Sequence, residues 1–456
     1  MYITDTIAAI STPPGQGGIS LVRLSGPEAI AIAAQVFFPF SGCELAALPG
    51  YTARYGRFCS GGRVLDTGVA LVYRAPKSYT GEDVAELMCH GGELVSAAVL
   101  RALLDAGARP ADRGEFTKRA YLNGKLSLTE AEAVCDIITA GSRVGAAAAV
   151  SASQGALGRE TDRLKRLLLE AASHIAAWLD YPEEDVEPVE TARLLSFLRQ
   201  TSDGLERLLA GYERGEAVLR GVRAAIVGTP NVGKSTLMNL LCGSERSIVT
   251  AVPGTTRDVV ETTVRLGSTS IVLSDTAGIR ATDDIVEAAG VQRAVDRIGQ
   301  SQLVLAVFDG SRPLTDDDRA VVEKTRTLPA IAVVNKGDLP ETADVAELER
   351  AYGHVVRISA RDPGALEVID RAVAGLTGID SFDPSAPLLA TERQRAAAVR
   401  AGALVQEAAR QIGDGVTLDV VSDTISAAHA ALCELSGEDA SEAVVNEVFS
   451  RFCVGK

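Results

Sequence analysis

The stretch that most restricts this chain is Gly228-Thr229-Pro230-Asn231-Val232-Gly233-Lys234-Ser235-Thr236. It follows an apolar, strand-like run at 222–227 and precedes a helix-compatible run at 237–242. A strand, a glycine-rich loop and a helix start in that order form a cradle for a nucleotide phosphate. The loop N–H groups point inward, Gly228 and Gly233 permit the close turn, and the helix N-terminus adds positive potential. Lys234 can reach the β- and γ-phosphates and Ser235 can ligate Mg²⁺. The reading is a nucleoside-triphosphate site.

With 456 residues the chain exceeds what one compact core holds, and length predicts about three domains. Aromatic residues make up 4%, which fits an α/β and helical protein better than an all-β one. No apolar run reaches the roughly 18 residues of a membrane span, and residues 1–5 lack a signal-like pattern, so a cytoplasmic protein without membrane attachment is expected. The 7 cysteines form no C-x-x-C pair, which argues against a disulfide framework or zinc site. A formal charge of −15 excludes nucleic-acid coating by bulk electrostatics, so any RNA contact must be a local patch or be shared with a partner.

In the N-terminal part, residues 3–11 and 19–24 read as strands about a rigid Thr12-Pro13-Pro14-Gly15-Gln16-Gly17-Gly18 turn. A strand at 84–89 and a helix at 93–106 follow, with Glu86 a carboxylate inside an apolar strand, either solvated or turned inward to a polar ligand. Cys89 and His90 suggest a nucleophile and base, but neighbouring strand residues face opposite ways. The basic stretch 109–125 reads as a solvated helix face or a binding patch. Ser127-Leu128-Thr129-Glu130 has the form of a capping box. Apolar stripes at helical spacing occupy 160–179 and 194–209, and again 395–412, 418–435 and 444–452. Joining the two sets gives one helical domain with a nucleotide domain inserted in a loop, the return marked by Asp383-Pro384-Ser385-Ala386-Pro387.

Within the insert the motifs run in the order of a GTPase. Gly254-Thr255-Thr256-Arg257-Asp258 offers Thr256 as a second Mg²⁺ ligand. Asp275-Thr276-Ala277-Gly278 offers Asp275 to the metal's water and the Gly278 N–H to the γ-phosphate. Asn335-Lys336-Gly337-Asp338 ends a strand; the Asp338 carboxylate can accept both N1–H and the exocyclic amine of guanine, which adenine cannot match. Ser359-Ala360 supplies a backbone donor for the guanine carbonyl. GTP is therefore the expected ligand. Ile279 stands where signalling GTPases carry a water-orienting glutamine, leaving Asp283, Asp284 and Glu287 as candidates to position the water, with Arg257, Arg280 or a monovalent ion to supply transition-state charge.

The phosphate loop, Gly254-Thr255-Thr256-Arg257-Asp258 and Asp275-Thr276-Ala277-Gly278 resemble the Era-like GTPases. The flanks narrow this: Asp5-Thr6-Ile7-Ala8-Ala9, Tyr79-Thr80-Gly81-Glu82-Asp83, His90-Gly91-Gly92, Gly114-Glu115-Phe116-Thr117 and the ending Phe452-Cys453-Val454-Gly455-Lys456 resemble the tRNA-modification GTPases of the MnmE (TrmE) family. The resemblance implies a multidomain α/β plus α fold: an N-terminal folate-binding and dimerising α+β domain at 1–120, a discontinuous helical domain at 121–215 and 383–456, and an inserted P-loop GTPase domain at 216–382. It implies folate contacts from Arg23, Glu86, Lys125 and Lys456, and a cofactor of the 5-formyl- or 5,10-methylene-tetrahydrofolate type. Potassium would be held by the Asn231 and Thr255 side chains and the Thr250 and Val252 carbonyls.

By the same resemblance Glu287 positions the water and acts with Lys234 in catalysis, and Mg²⁺ is held by Ser235 and Thr256. The GTP contacts comprise Asn231, Val232, Gly233, Lys234, Ser235 and Thr236 of the phosphate loop, then Thr250, Ala251, Val252, Pro253, Gly254, Thr255 and Thr256. They continue with Asp275, Thr276, Ala277 and Gly278, and with Asn335, Lys336, Gly337, Asp338, Ser359, Ala360 and Arg361 around the base. Cys453 is a possible terminal thiol, a nucleophile or a buried structural group. The implied reaction builds a carboxymethylaminomethyl or aminomethyl group at C5 of the wobble uridine of tRNA, by a homodimer working with an FAD-containing partner, MnmG (GidA). Two rival readings are a ribosome-assembly regulatory GTPase and a stand-alone one-carbon transferase with a GTPase regulator.

Overall fold

The computed structural model describes residues 5–180, 190–243, 261–274 and 301–456. The chain divides into two compact units, one of residues 1–135 with 436–456 and one of 136–435.

The first unit is built on a seven-stranded sheet of order β3-β4-β5-β6-β2-β1-β7. Its strands are β1 (Ile7–Ile10), β2 (Ile19–Ser25), β3 (Phe37–Pro39), β4 (Thr52–Ser60), β5 (Arg63–Tyr73), β6 (Val84–His90) and β7 (Arg109–Pro110). Pairing is antiparallel except between β1 and β7. Alternation does the sorting. On β2, Val22 and Leu24 are fully buried and join Leu87, Ala85 and the helices α1 (Ala29–Val36) and α2 (Glu93–Asp105) in one core, while Arg23 faces the other way.

The final residues fold with this unit. Helix α3 (Glu115–Leu122) starts where Gly114 N–H donates to the Cys453 carbonyl (3.3 Å) and Phe116 N–H to the Lys456 carbonyl (3.2 Å). Ser11 Oγ donates to the Gly455 carbonyl at 2.9 Å. Gly455 has φ +93°, and a Cβ there would strike the Ile10 carbonyl, so only glycine suits this close approach. Phe449 and Phe452 pack with Leu128 and Ala131 in a small apolar cluster. Residues 436–456 thus belong to the unit of the N-terminal sheet, whereas helical periodicity groups them with the second helical set. The capping box forms at the start of α4 (Leu128–Thr139), which α5 (Arg143–Ser153) follows: Glu130 N–H donates to Ser127 Oγ (3.2 Å) and Ser127 N–H to Glu130 Oε2 (2.7 Å).

In the second unit the expected helical stripes meet. Leu164, Leu168, Ala171 and Ile175 of α6 (Ala156–Asp180) are fully buried against Leu194, Leu198 and Leu205 of α7 (Thr191–Ala210) and against Ala398, Val405, Val421 and Leu432 from far along the chain. One core is therefore shared by segments on both sides of the nucleotide-domain sequence.

That domain carries a six-stranded sheet of order β13-β12-β11-β8-β10-β9. Its strands are β8 (Val222–Val227), β9 (Glu261–Arg265), β10 (Ser270–Ser274), β11 (Leu303–Asp309), β12 (Ala330–Asn335) and β13 (His354–Arg357), all parallel except β9. Every residue of β11 and β12 is buried, as a parallel sheet covered on both faces requires. Cores lie on each face. Ala217, Val218 and Leu219 of α8 (Tyr212–Arg220) also enter one of these cores. From β8 the chain proceeds to β10 on one side and then to β11 on the other, so the order reverses at β8. In open α/β sheets, ligands bind beyond the carboxyl ends of the strands at such a point.

Candidate nucleotide-binding site

The phosphate loop leaves the carboxyl end of β8 and enters α9 (Lys234–Gly243). Three of its residues take positive φ, Gly228 at +154°, Asn231 at +64° and Gly233 at +99°. Asparagine tolerates that region better than most side chains, because its short polar group can bond locally. Lys234 Nζ curls over the loop and donates to the carbonyls of Gly228 (2.9 Å) and Thr229 (2.7 Å). Burial pushes the Lys234 ammonium below its ordinary value of 10.5. Two carbonyl dipoles compensate a desolvated cation poorly, whereas anionic oxygens compensate it well, and that is the fit expected of a phosphate site. Ser235 and Thr236 occupy the exposed first turn of α9.

Three loops meet at the carboxyl ends of β8, β12 and β13. Asn335, only 3% exposed, binds them: its Nδ2 donates to the Val232 carbonyl (2.9 Å) and its Oδ1 accepts from Ala360 N–H (2.9 Å). The Ala360 donor expected to meet a guanine carbonyl is thus engaged by the motif's own asparagine in this structure. Gly337 N–H donates to the Ile358 carbonyl at 2.9 Å. Asp338 remains at the surface; its carboxylate accepts from Ser359 Oγ (2.9 Å) and has Arg361 at 3.8 Å. The Ser359 bond is the main reason its carboxyl sits below the ordinary value. The carboxylate stays ionised and keeps free acceptor capacity, as recognition of two N–H donors requires.

Three residues that sequence reasoning missed, Asp309, Arg312 and Asp318, brace this site. Lys336, at φ +66°, donates through Nζ to Asp309 Oδ2 (2.6 Å) at the end of β11. Thr229 Oγ1 donates to Asp318 Oδ1 (2.7 Å), and Arg312 Nη1 to Asp318 Oδ2 (2.6 Å). Burial alone would raise the Asp318 carboxyl, but Arg312, Thr315 and Thr229 together hold it down at about 2. The sequence signal was Thr315-x-x-Asp318 ahead of an apolar run, which reads as a capping box; both bonds of that box form.

Thr250, Ala251, Val252, Pro253, Gly254, Thr255, Thr256, Arg257, Asp258, Asp275, Thr276, Ala277, Gly278, Ile279, Arg280, Asp283, Asp284 and Glu287 lie outside the described residues. Among the described residues no helix is long and apolar enough to cross a membrane, and no cluster of His, Cys, Asp and Glu has the form of a metal site.

In the N-terminal unit, three of the four expected folate residues come together. Arg23 donates to Glu86 Oε1 through Nε (2.9 Å) and Nη2 (2.8 Å), and Tyr73 OH donates to Glu86 Oε2 (3.3 Å). The Arg23 guanidinium lies 5.7 Å from the Tyr79 ring centre and 5.6 Å from that of Phe116. Burial, then the Arg23 charge, lowers the Lys456 ammonium, with Glu86 opposing. Lys125 lies apart from the Arg23–Glu86 pair in its contacts, with Nζ on the Pro76 carbonyl at 3.2 Å. Glu86 is therefore paired with a cation instead of solvated. Cys89 is buried while His90 Nδ1 pairs with Asp66 Oδ1 (2.7 Å), so the two face apart as strand geometry demands. Cys453 is exposed. It lines a cavity of about 620 Å³ with the 12–17 turn, Ser20, Gly91 and Glu93. Arg109 and Arg119, from the basic stretch, are absorbed into ion pairs with Asp5, Glu82 and Glu115.

Comparison with known proteins agrees with the motifs from end to end. The family profile "GTP-binding protein TrmE N-terminus" matches residues 6–125, and "MnmE helical domain" matches 128–453. The tRNA modification GTPase MnmE of Symbiobacterium thermophilum is 41% identical over 456 residues, covering 99% of both chains. The chain belongs to the MnmE family. Family members of the same name from Chloroflexus aurantiacus (40% identical) and Moorella thermoacetica (41%) are each covered over 100% of their length, as is this chain. Aquifex aeolicus Era bound to GDP·AlF4⁻ aligns at 25% identity over 40% of this chain and 66% of its own, with a TM-score of 0.26.

Proposed function

We propose that this chain is a potassium-activated GTP hydrolase that takes part in modifying the wobble uridine of tRNA. The observation that carries the GTPase part is the convergence of the phosphate loop and Asp338 at the carboxyl ends of β8, β12 and β13, locked by Asn335. Asp338 selects guanine by accepting its N1–H and amine. Lys234 exchanges its two carbonyl partners for the β- and γ-phosphate oxygens, and the α9 N–H groups and Ser235 hydroxyl complete the cradle. Thr256 joins Ser235 in holding Mg²⁺, and Asn231 and Thr255, with the carbonyls of Thr250 and Val252, hold K⁺. Those ions supply positive charge where the leaving phosphate develops negative charge. Glu287 orients the attacking water, the role that Ile279 cannot fill.

The N-terminal unit is the folate site of this reading. Arg23, Glu86 and Lys456 offer a cation pair and a carboxylate on one face of the sheet, a donor and acceptor set that suits the carboxylates and ring N–H groups of a tetrahydrofolate. The cofactor, 5-formyl- or 5,10-methylene-tetrahydrofolate, supplies a one-carbon unit when bound. Lys125, which follows α3 and rests on the Pro76 carbonyl, is the remaining folate contact of this reading. The chain works as a homodimer with the FAD-containing MnmG, which handles electrons and shares the tRNA surface that a charge of −15 leaves short. Cys453 has no assigned step.

Mass spectrometry of tRNA nucleosides from a deletion strain tests the modification: loss of the C5 substituent at wobble uridine is expected, and unchanged nucleosides would redirect the function to a regulatory GTPase. GTP hydrolysis in KCl should exceed that in NaCl by about tenfold or more, the contribution expected of one well-placed charge. Equal rates would remove the potassium site.

A further inference from the structure

The segment from the last residue of β11 into the first turn of the helix Asp316–Thr325 touches both halves of the nucleotide site. Its first residue, Asp309, holds Lys336 of the base-reading loop at 2.6 Å. Its last, Asp318, accepts the Thr229 hydroxyl of the phosphate loop at 2.7 Å. Arg312 joins them: Nη1 donates to Asp318 Oδ2 (2.6 Å), Nη2 to Thr229 Oγ1 (3.3 Å), and Nε lies 3.9 Å from Asp309. Asp318 is 1% exposed, and its carboxylate also accepts from Thr315 N–H and Oγ1, both at 2.9 Å, and from Arg312 Nη2 at 3.3 Å.

Thr229 is a sensitive place to hold the loop. It follows Gly228, which contributes no side-chain restraint, and precedes Pro230, which lacks an N–H and fixes its own φ. Neither neighbour anchors this part of the loop by a side-chain hydrogen bond, and the Thr229 carbonyl is one of the two groups that receive Lys234. Where the Thr229 hydroxyl is fixed therefore sets where that carbonyl, and the ammonium on it, come to rest.

We propose that Asp318 and Arg312 are positioning residues for nucleotide binding: they fix the phosphate loop from outside through the Thr229 hydroxyl and couple it, through Asp309 and Lys336, to the guanine-reading loop. Neither residue touches the nucleotide. The bond to Thr229 is charge-assisted and sheltered, so the loop is held ready before ligand arrives instead of being ordered at the expense of binding.

The inference rests on the nucleotide-site reading, and the test separates the two. Stopped-flow displacement of fluorescent mant-GDP from the full-length protein is measured for wild type, Thr229→Val and Thr229→Ser. Valine keeps the shape and leaves Asp318 with Arg312 and Thr315, so the helix cap survives; serine restores the hydroxyl. The expected result is dissociation about tenfold faster in Thr229→Val, a value within about twofold of wild type in Thr229→Ser, and a rise in KM for GTP that exceeds the fall in kcat. Wild-type dissociation in Thr229→Val overturns the proposal, as does a Thr229→Ser variant as defective as the valine one. Failure of the wild type to bind mant-GDP would instead overturn the nucleotide site itself.

Discussion

Gly233→Ala is expected to lower GDP affinity at least a hundredfold, with hydrolysis falling to background, as measured by calorimetric titration of GDP and by phosphate release. The backbone at this position has φ +99°, outside the range that side chains adopt freely, which costs about 1–3 kcal/mol. The added Cβ would also be driven into Asn335 Nδ2. That amide cannot swing aside, because it is buried and spans Val232 and Ala360. Displacing it strands a carbonyl and an N–H, about 1–3 kcal/mol each. Together these exceed the roughly 2.7 kcal/mol that correspond to a hundredfold in affinity. Cost falls on the loop and not on the core, so far-ultraviolet circular dichroism should stay that of wild type. GDP affinity within threefold of wild type would show that the loop reshapes cheaply and that Asn335 is no lock.

Arg119→Ala is expected to destabilise the N-terminal unit by about 3–5 kcal/mol, the cost of removing one partner from a buried ion cluster. Arg119 is 1% exposed and faces three carboxylates: Asp5 at 2.8 Å, Glu115 at 3.0 Å and Glu82 at 3.3 Å, with the Asp5 carbonyl at 2.9 Å. Arg109 still reaches Asp5 and Glu115, but Glu82 would keep only the Ser25 hydroxyl and the Thr80 contacts around it. In differential scanning calorimetry the transition of this unit should fall by about 10 °C. A shift under about 2 °C would mean that water enters and solvates the carboxylates.

The same cluster fixes a pH dependence. Burial opposes ionisation of Glu115, but hydrogen bonds from Arg109, the Asp112 N–H and Arg119 outweigh it and keep its carboxyl below 4.5; Asp5 is lowered for like reasons. Groups with depressed folded values stabilise fully above their unfolded values. That stabilisation is lost as pH falls from about 4.5 through the folded values, and wild type should lose more than Arg119→Ala over that interval.

Much of the nucleotide domain could be read directly because its signals are local. Glycine spacing, a strand before the loop and a helix after it fix the cradle within nine consecutive positions, 228–236. The helical stripes were equally legible, since periodicity records which face is buried. Which partner covers that face is not recorded. The stripe at 444–452 has helical spacing like the others, yet Phe449 packs with Leu128 in the first unit. The choice depends on shape and on hydrogen bonds such as Lys456 carbonyl to Phe116 N–H, made across 340 positions.

Charged residues show the same limit. Composition could not tell a solvated basic face from a buried one, and Arg119 became a core residue because Asp5 and Glu82, remote in sequence, arrive opposite it. Likewise Thr229 and Asp318 stand 89 positions apart, and only the sheet order, by setting β11 beside β8, brings the second to the first. The sequence by itself determined the phosphate loop, the guanine motif and the helical periodicity, because each is written in neighbouring residues whose backbone geometry is local. Tertiary structure alone decided the Asn335 lock, the Arg312–Asp318 brace and the pairing of Arg23 with Glu86, because a buried charge or amide is defined by the partners that folding delivers to it.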